Sequence, residues 1–238
     1  MDALVVLIPS IPFLAAVIIG IGHLFGAIKG ETSETFTSLT ATWAISMSCL
    51  LALSLLGADL LEKNNGEFNV GQWLDSDNLN AVVNFITTGF GIKLAALFAV
   101  LLTIITKFSI NYMHREAGFH RFFFILSLFS SAIFMIVLSG NALGTFVGWE
   151  IAGLCSYLLI AYAYDRPVAV ANASRVFITN RIGDAAFVLG IGLSYSWVNS
   201  VNWPDLKMAV GDLSKGENTA IALCFTIAAL AKSAQLPF

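Results

Sequence analysis

Four charged residues lie in stretches that are otherwise apolar. They are Glu150, Arg181, Asp184 and Lys232. A charged side chain that faces lipid at the centre of a membrane helix costs on the order of 2.5–3.5 kcal/mol, so such residues normally face one another or water. A carboxylate and an ammonium in a nonpolar site each alter how readily the other holds a proton. These residue types therefore favour proton transfer inside a membrane; a static ion pair that fixes helix packing is the alternative.

The spacing of these residues predicts two places where charges can meet. Glu150 is about nine residues, or roughly 12–13 Å, into an apolar stretch that begins at Ala142. Lys232 is about 14 residues, or roughly 21 Å, into a stretch that begins at Asn218. Arg181 and Asp184 are spaced i, i+3 and therefore share one helix face, where they can pair. For this second pair, an interfacial salt bridge is the alternative.

The composition predicts that these residues belong to an integral membrane protein. The chain has 238 residues, of which 58% are hydrophobic and 11% are charged, and its mean hydropathy is +0.83. Soluble domains carry about 25% charged residues. The net charge of −3 and the absence of a basic cluster argue against a nucleic-acid partner. The cysteines are isolated and show no metal-binding spacing, so we expect no metal and no cofactor bound by this chain.

Seven apolar segments predict an all-α, polytopic bundle of about seven transmembrane helices. Each segment is near the roughly 20 residues that a helix needs to cross a bilayer, and helices satisfy their own backbone groups in lipid. The segments are Ala3–Ile28, Ser38–Leu61, Asn84–Ile105, Phe122–Ser139, Ala142–Ala163, Ile182–Val198 and Asn218–Phe238. The polar stretch Glu62–Asn80 is predicted to be a surface loop. Pro237 removes a backbone donor and should break the seventh helix beside Lys232.

Basic residues in the connections predict the orientation of the chain. Seven fall in one set of connections and three in the other, so the N-terminus is expected outside and the arginine-rich loops on the cytoplasmic or matrix side of a bacterial or organellar inner membrane. The seven are Lys29, Lys107, Arg115, Arg121, Arg166, Arg175 and Arg181; the three are Lys63, Lys207 and Lys215. Lys93 falls within the third segment, unless that helix begins near Gly91 and leaves Lys93 at the interface.

Three stretches carry a resemblance to a known family. They are FVGWEIAGLCSYLLI (Phe146–Ile160), RVFITNRIGDAAF (Arg175–Phe187) and AKSAQLPF (Ala231–Phe238). Together they resemble the antiporter-like large subunit of respiratory complex I, a family that also includes the large subunits of Mrp-type sodium/proton antiporters. The stretch Thr87–Gly91 (TTGFG) departs from the family, which usually has an aspartate-containing sequence there.

The resemblance implies a role for each of the four charged residues. Glu150 and Lys232 would be the proton-carrying pair, and Arg181 and Asp184 an ion pair linked to coupling. Residues 1–110 would form the first three helices, and residues 111–238 would form helices four to seven of the first half-channel, incomplete at the C-terminus. The family's full subunit is longer, so we expect a fragment or one half of a split subunit.

The resemblance also implies the partners. Other membrane-arm subunits of a complex I-like assembly would hold NADH, flavin, iron–sulfur clusters and quinone, while this chain would translocate protons without redox chemistry of its own. Three alternatives remain open. The resemblance also allows an Mrp-type sodium/proton antiporter subunit or the membrane partner of an inorganic-carbon uptake complex, and the third alternative is a non-conducting structural membrane subunit.

Overall fold

The computed structural model of the protein describes residues 2–64, 66–76 and 79–236. A 3-10 turn, Asp2–Val6, leads into the first helix, and helices account for most of the described chain. The elements are α1 (Leu7–Leu24), α2 (Glu34–Leu60), β1 (Glu67–Ser76), β2 (Leu79–Ile86), α3 (Gly89–Tyr112), α4 (Phe119–Leu138), α5 (Ala142–Ile160), α6 (Pro167–Val198), α7 (Trp203–Ala209) and α8 (Lys215–Lys232).

The predicted fold class, a polytopic bundle of membrane helices, is confirmed. Six helices in the described ranges are long and apolar enough to cross a membrane, and they correspond to the first six predicted segments. The seventh segment also forms a helix, α8. Its 18 residues include three charged ones, Lys215, Glu217 and Lys232, and it is not among the six. The helix break predicted at Pro237 lies outside the described residues.

The region between α2 and α3 differs from the prediction of a loop. Residues Glu67–Ser76 and Leu79–Ile86 form a two-stranded sheet, and α3 begins at Gly89 instead of Asn84. Valine and phenylalanine are enriched in β2, which is typical of strands, and Gly89 adopts a left-handed conformation (φ +72°) that favours glycine. Lys93 is therefore exposed near the start of α3, where a membrane interface can accommodate it.

Helix α6 is also longer than predicted. It begins at Pro167, a residue suited to a helix's first turn, and runs for 32 residues to Val198. Asn199 ends it in the left-handed region (φ 58°). Arg175 and Arg181 therefore lie inside this helix. Lys107 lies in α3 and Arg121 in α4, so four of the seven basic residues that support the predicted orientation are not in a connection.

The chain divides into two compact units. Unit 1 comprises residues 1–69 and 85–138, and unit 2 comprises residues 70–84 and 139–238. In unit 1, Pro12 lies inside α1 and cannot donate a hydrogen bond to the carbonyl of Ile8. The hydroxyl of Ser48 in α2 donates to that carbonyl instead, at 2.9 Å. The hydroxyl of Ser131 in α4 donates to the neighbouring carbonyl of Pro9, at 2.8 Å. The Ser48 hydroxyl thus replaces the donor that Pro12 lacks, as backbone groups in lipid require.

We expect Ser48→Ala to lower the free energy of unfolding by about 1 kcal/mol, because it removes the donor that satisfies the carbonyl of Ile8. Thermal unfolding of the purified chain in detergent would measure the loss. Ser54→Ala is the matched control, since Ser54 is exposed on the same helix and donates only to the carbonyl of Leu51. Equal unfolding temperatures for the two variants would contradict the prediction.

Unit 2 contains all four charged residues that the sequence analysis singled out. Helices α6 and α8 approach closely at small residues: a Cβ added at Gly183 would lie 2.8 Å from the Cβ of Ala231. Such small-residue contacts allow membrane helices to pack tightly. The next residue along each helix is charged, Asp184 after Gly183 and Lys232 after Ala231. The close packing therefore brings two of the charged residues to the same level of unit 2.

The start of α8 is fixed by a capping box. The hydroxyl of Ser214 accepts a hydrogen bond from the backbone amide of Glu217, and the carboxylate of Glu217 accepts hydrogen bonds from the backbone amide and the hydroxyl of Ser214. The hydrogen bonds from Ser214 lower the pKa of the Glu217 carboxyl. The contribution of this cap to stability is therefore complete above the ordinary glutamate pKa and is lost as the pH falls through the lowered one.

Candidate functional site

A run of ion pairs joins α5 to α6. One terminal nitrogen of Arg181, Nη2, lies 2.8 Å from Oε2 of Glu150, and its Nε lies 3.0 Å from Oδ2 of Asp184. The predicted i, i+3 pair of Arg181 and Asp184 is thus present, in the interior of α6 and not at its start. The side chain of Asp184 is only 7% exposed, that of Glu150 30% and that of Arg181 44%. One guanidinium therefore contacts two carboxylates on neighbouring helices.

Trp149 connects this run to α8. Its indole N–H donates a hydrogen bond to Oδ1 of Asp184 at 2.9 Å, and its backbone carbonyl accepts a hydrogen bond from the ammonium of Lys232 at 3.0 Å. The ammonium also lies 5.0 Å from the centre of the Trp149 ring, within the range of a cation–π contact. Sequence reasoning did not identify Trp149. The sequence feature that could have identified Trp149 is its indole N–H, which needs an acceptor when it is buried in an apolar helix.

Glu150 and Lys232, the predicted proton-carrying pair, lie in the same polar cluster but bind different partners. The carboxylate of Glu150 is bound to Arg181, and the ammonium of Lys232 is bound to the backbone of Trp149, the residue that precedes Glu150. The physical reason is that a guanidinium on α6 reaches the carboxylate with a planar donor group, while the backbone of α5 offers the ammonium an acceptor. The two groups remain in the same polar cluster without an ion pair between them.

Local packing holds the aromatic side of this cluster in place. The ring of Trp149 lies 5.3 Å from that of Phe187, one turn after Asp184 on α6, and the ring of Phe187 lies 5.1 Å from that of Phe225 on α8. Phe187 is buried in the apolar core of unit 2 with Ala142 and Ala228. Aromatic contacts of this kind contribute about 0.5–1.5 kcal/mol beyond the area they bury. They fix the direction in which the Trp149 indole points.

The charges of the cluster balance. Glu150 and Asp184 carry two negative charges, and Arg181 and Lys232 carry two positive ones, all linked by contacts of 3.0 Å or less. Of the four, a carboxylate or the ammonium can exchange a proton, whereas a guanidinium stays charged. Gain or loss of one proton would change the net charge of the cluster and therefore the strength of its ion pairs and hydrogen bonds. In the described ranges, no group of His, Cys, Asp and Glu could hold a metal ion.

The part of the chain that contains this cluster matches a known protein family. Residues 139–238 match the family described as NADH:quinone oxidoreductase/Mrp antiporter, TM. Over nearly the whole chain, the sequence is 34% identical to the chloroplastic NAD(P)H-quinone oxidoreductase subunit 5 of Lemna minor, with 97% of this chain and 32% of that protein covered. It is 33% identical to the subunit 5 of the Paulinella chromatophora organellar chromatophore, with 98% and 36% covered. The chain thus spans about a third of the length of these relatives.

Two solved structures share the fold. One, described as the structure of the Mrp complex from Dietzia sp. DQ12-45-1b, matches with a TM-score of 0.79 at 19% identity, covering 98% of this chain and 24% of that chain. The other is the membrane-bound sulfane sulfur reductase, an archaeal respiratory membrane complex, with a TM-score of 0.78 at 15% identity and coverages of 95% and 44%. The resemblance that the three sequence stretches carry is confirmed by these similarities.

Proposed function

We propose that this chain, whose residues 139–238 match the NADH:quinone oxidoreductase/Mrp antiporter family, forms part of a membrane-arm subunit of a NADH–quinone oxidoreductase-type assembly and carries protons there. The observation that carries the proposal is the continuous cluster from Glu150 through Arg181, Asp184 and Trp149 to Lys232. Ionisable residues inside membrane segments are functional sites by default, because a purely structural role rarely repays their cost in lipid.

In this proposal, Lys232 and Glu150 exchange protons with water, while Arg181 and Asp184 respond to them. When Lys232 is protonated, its ammonium donates a hydrogen bond to the backbone carbonyl of Trp149. The indole N–H of Trp149 donates to Asp184, so Trp149 links the ammonium to Asp184. Loss of the proton from Lys232 removes a positive charge beside Asp184, so Asp184 binds Arg181 more strongly. Arg181 then holds Glu150 less strongly, and that carboxylate becomes free to take up a proton. Each proton transfer would thus be coupled to a rearrangement of ion pairs.

The energy for this movement would come from partner subunits. Carrying one elementary charge across a membrane potential costs about 2.3 kcal/mol per 100 mV. The relatives with similar sequences are named as quinone oxidoreductase subunits, so the driving reaction we propose is NAD(P)H oxidation elsewhere in the assembly. NADH, flavin, iron–sulfur clusters and quinone would be bound by those partners. The arginine-rich connections would face the cytoplasm or matrix.

We expect Glu150→Gln to reduce proton flux about 100-fold, the size of effect seen when a group that transfers protons is removed. The measurement is acidification of reconstituted vesicles that contain the assembled complex, with NADH and a quinone supplied. Glu116→Gln is the matched control, because Glu116 is an exposed carboxylate outside the cluster. Membrane insertion should be unchanged in both variants, since Gln keeps the size of the side chain.

Two results would contradict the proposal. Unchanged proton flux in Glu150→Gln would show that the Glu150 carboxylate is not part of the proton pathway. It would support a non-conducting structural role for the cluster. A sodium-dependent pH change without NADH or quinone, lost in Glu150→Gln, would instead assign the cluster to sodium/proton exchange.

A further inference from the structure

The ammonium of Lys232 occupies a space that exists because α5 has no side chain at residue 153. A Cβ added at Gly153 would lie 2.7 Å from Nζ of Lys232. That separation is well below an ordinary van der Waals contact, so a methyl group and the ammonium cannot share the position. Gly153 is buried and lies four residues after Trp149, one turn further along the same helix. The bare backbone at Gly153 thus opens access to the carbonyl of Trp149.

Three groups define this feature, which we name the α5 notch. They are the missing side chain at Gly153, the backbone carbonyl of Trp149 and the face of the Trp149 ring. The carbonyl accepts from the ammonium at 3.0 Å, and the ring centre lies 5.0 Å from Nζ. A carbonyl oxygen and an aromatic face both attract a cation. The notch therefore has the shape and the chemistry of a binding site for one ammonium group.

We propose that Gly153 is a positioning residue, and that the α5 notch is the docking site that keeps the ammonium of Lys232 out of direct contact with Glu150. Residues 149 and 150 are adjacent, so their side chains point about 100° apart around the helix. The ammonium docked on Trp149 makes no ion pair with Glu150, whose carboxylate is bound to Arg181. The position of the ammonium in the notch is observed in the structure. Its use in controlling proton transfer rests on the function proposed above.

A side chain at residue 153 should displace the ammonium without unfolding the protein. The atom that would clash is the end of a long, flexible side chain, which can move at little cost. Alanine is also a better helix former than glycine. In Gly153→Ala, we therefore expect Lys232 to leave the notch and to be more accessible.

The test is the labelling of Lys232 by a membrane-permeant acetylating reagent, measured by mass spectrometry on the full chain in lipid vesicles. Lys215, exposed at the other end of α8, serves as the internal reference. In Gly153→Ala, the labelling of Lys232 relative to Lys215 should rise about tenfold, because a hydrogen bond to a charged group is lost. Gly192→Ala is the matched control: Gly192 is a helical glycine on α6 with open space around its Cβ position, and the ratio should be unchanged.

The outcomes separate this inference from the proposed function. An equal labelling ratio of Lys232 to Lys215 in Gly153→Ala and in the unmodified chain would contradict the proposed docking site. An equal rise in Gly153→Ala and Gly192→Ala would overturn it too, because the effect would then come from the glycine-to-alanine change and not from the notch. If the ratio rises only in Gly153→Ala while Glu150→Gln leaves proton flux intact, the docking site stands and the proposed function fails.

Discussion

Arg181→Gln is expected to lower the free energy of unfolding by about 2 kcal/mol and to abolish proton flux through the assembled complex. The variant leaves two carboxylates, Glu150 and Asp184, without the guanidinium that contacts both. Asp184 is nearly inaccessible to solvent, and an unpaired buried charge is strongly destabilising. Because Arg181 itself is 44% exposed, the loss should be smaller than the 3–5 kcal/mol typical of a fully buried pair. Chemical unfolding in detergent and vesicle acidification would measure the two effects.

Arg175→Gln is the matched control for this prediction. Arg175 is an exposed arginine on the same helix, six residues earlier, and should tolerate the change in both measurements. Adding Asp184→Asn to Arg181→Gln should recover about half of the lost stability, because the most buried negative charge is then removed. Proton flux should not recover. Equal unfolding curves for Arg181→Gln and Arg175→Gln would show that the ion pairs contribute nothing measurable.

The sequence was sufficient to predict the helical bundle and the four charged residues of the cluster. Long apolar stretches have few other structures available in lipid. Four of the spans, which correspond to α1, α2, α4 and α5, could therefore be placed to within four residues at each end. The cost of charge in such stretches singled out Glu150 and Lys232. The i, i+3 spacing gave the contact of Arg181 with Asp184, because that geometry depends only on the helix itself.

What the sequence did not reveal depends on contacts between elements. Hydropathy marks only the apolar part of a helix, so it predicts a connection for the polar first half of α6, which includes Arg175. The choice of Arg181 over Lys232 as the partner of Glu150 depends on how α5, α6 and α8 are rotated against one another, and no local pattern encodes that rotation. The role of Gly153 is visible only once an ammonium is seen beside it.

Lys232→Met should share the loss of proton flux with Arg181→Gln but not the loss of stability: we expect a flux reduced about 100-fold, with a change in unfolding free energy below about 1 kcal/mol. The ammonium bonds to a backbone carbonyl, and both carboxylates keep their contacts with Arg181 when it is removed. No buried charge is thereby left without a partner. Methionine retains the length and flexibility of the lysine stem but cannot carry a proton. Acidification of vesicles and chemical unfolding should be measured on the same preparation.

Lys215→Met provides the comparison, because Lys215 lies at the exposed start of α8, outside the cluster, and its loss should leave flux intact. If Lys232→Met destabilises the protein as much as Arg181→Gln does, then Lys232 is part of the framework of ion pairs and not the group that exchanges protons. If it leaves flux unchanged, the path does not pass through α8. The two variants together thus distinguish a residue that holds the cluster in place from a residue that carries the proton, since only the first should cost stability.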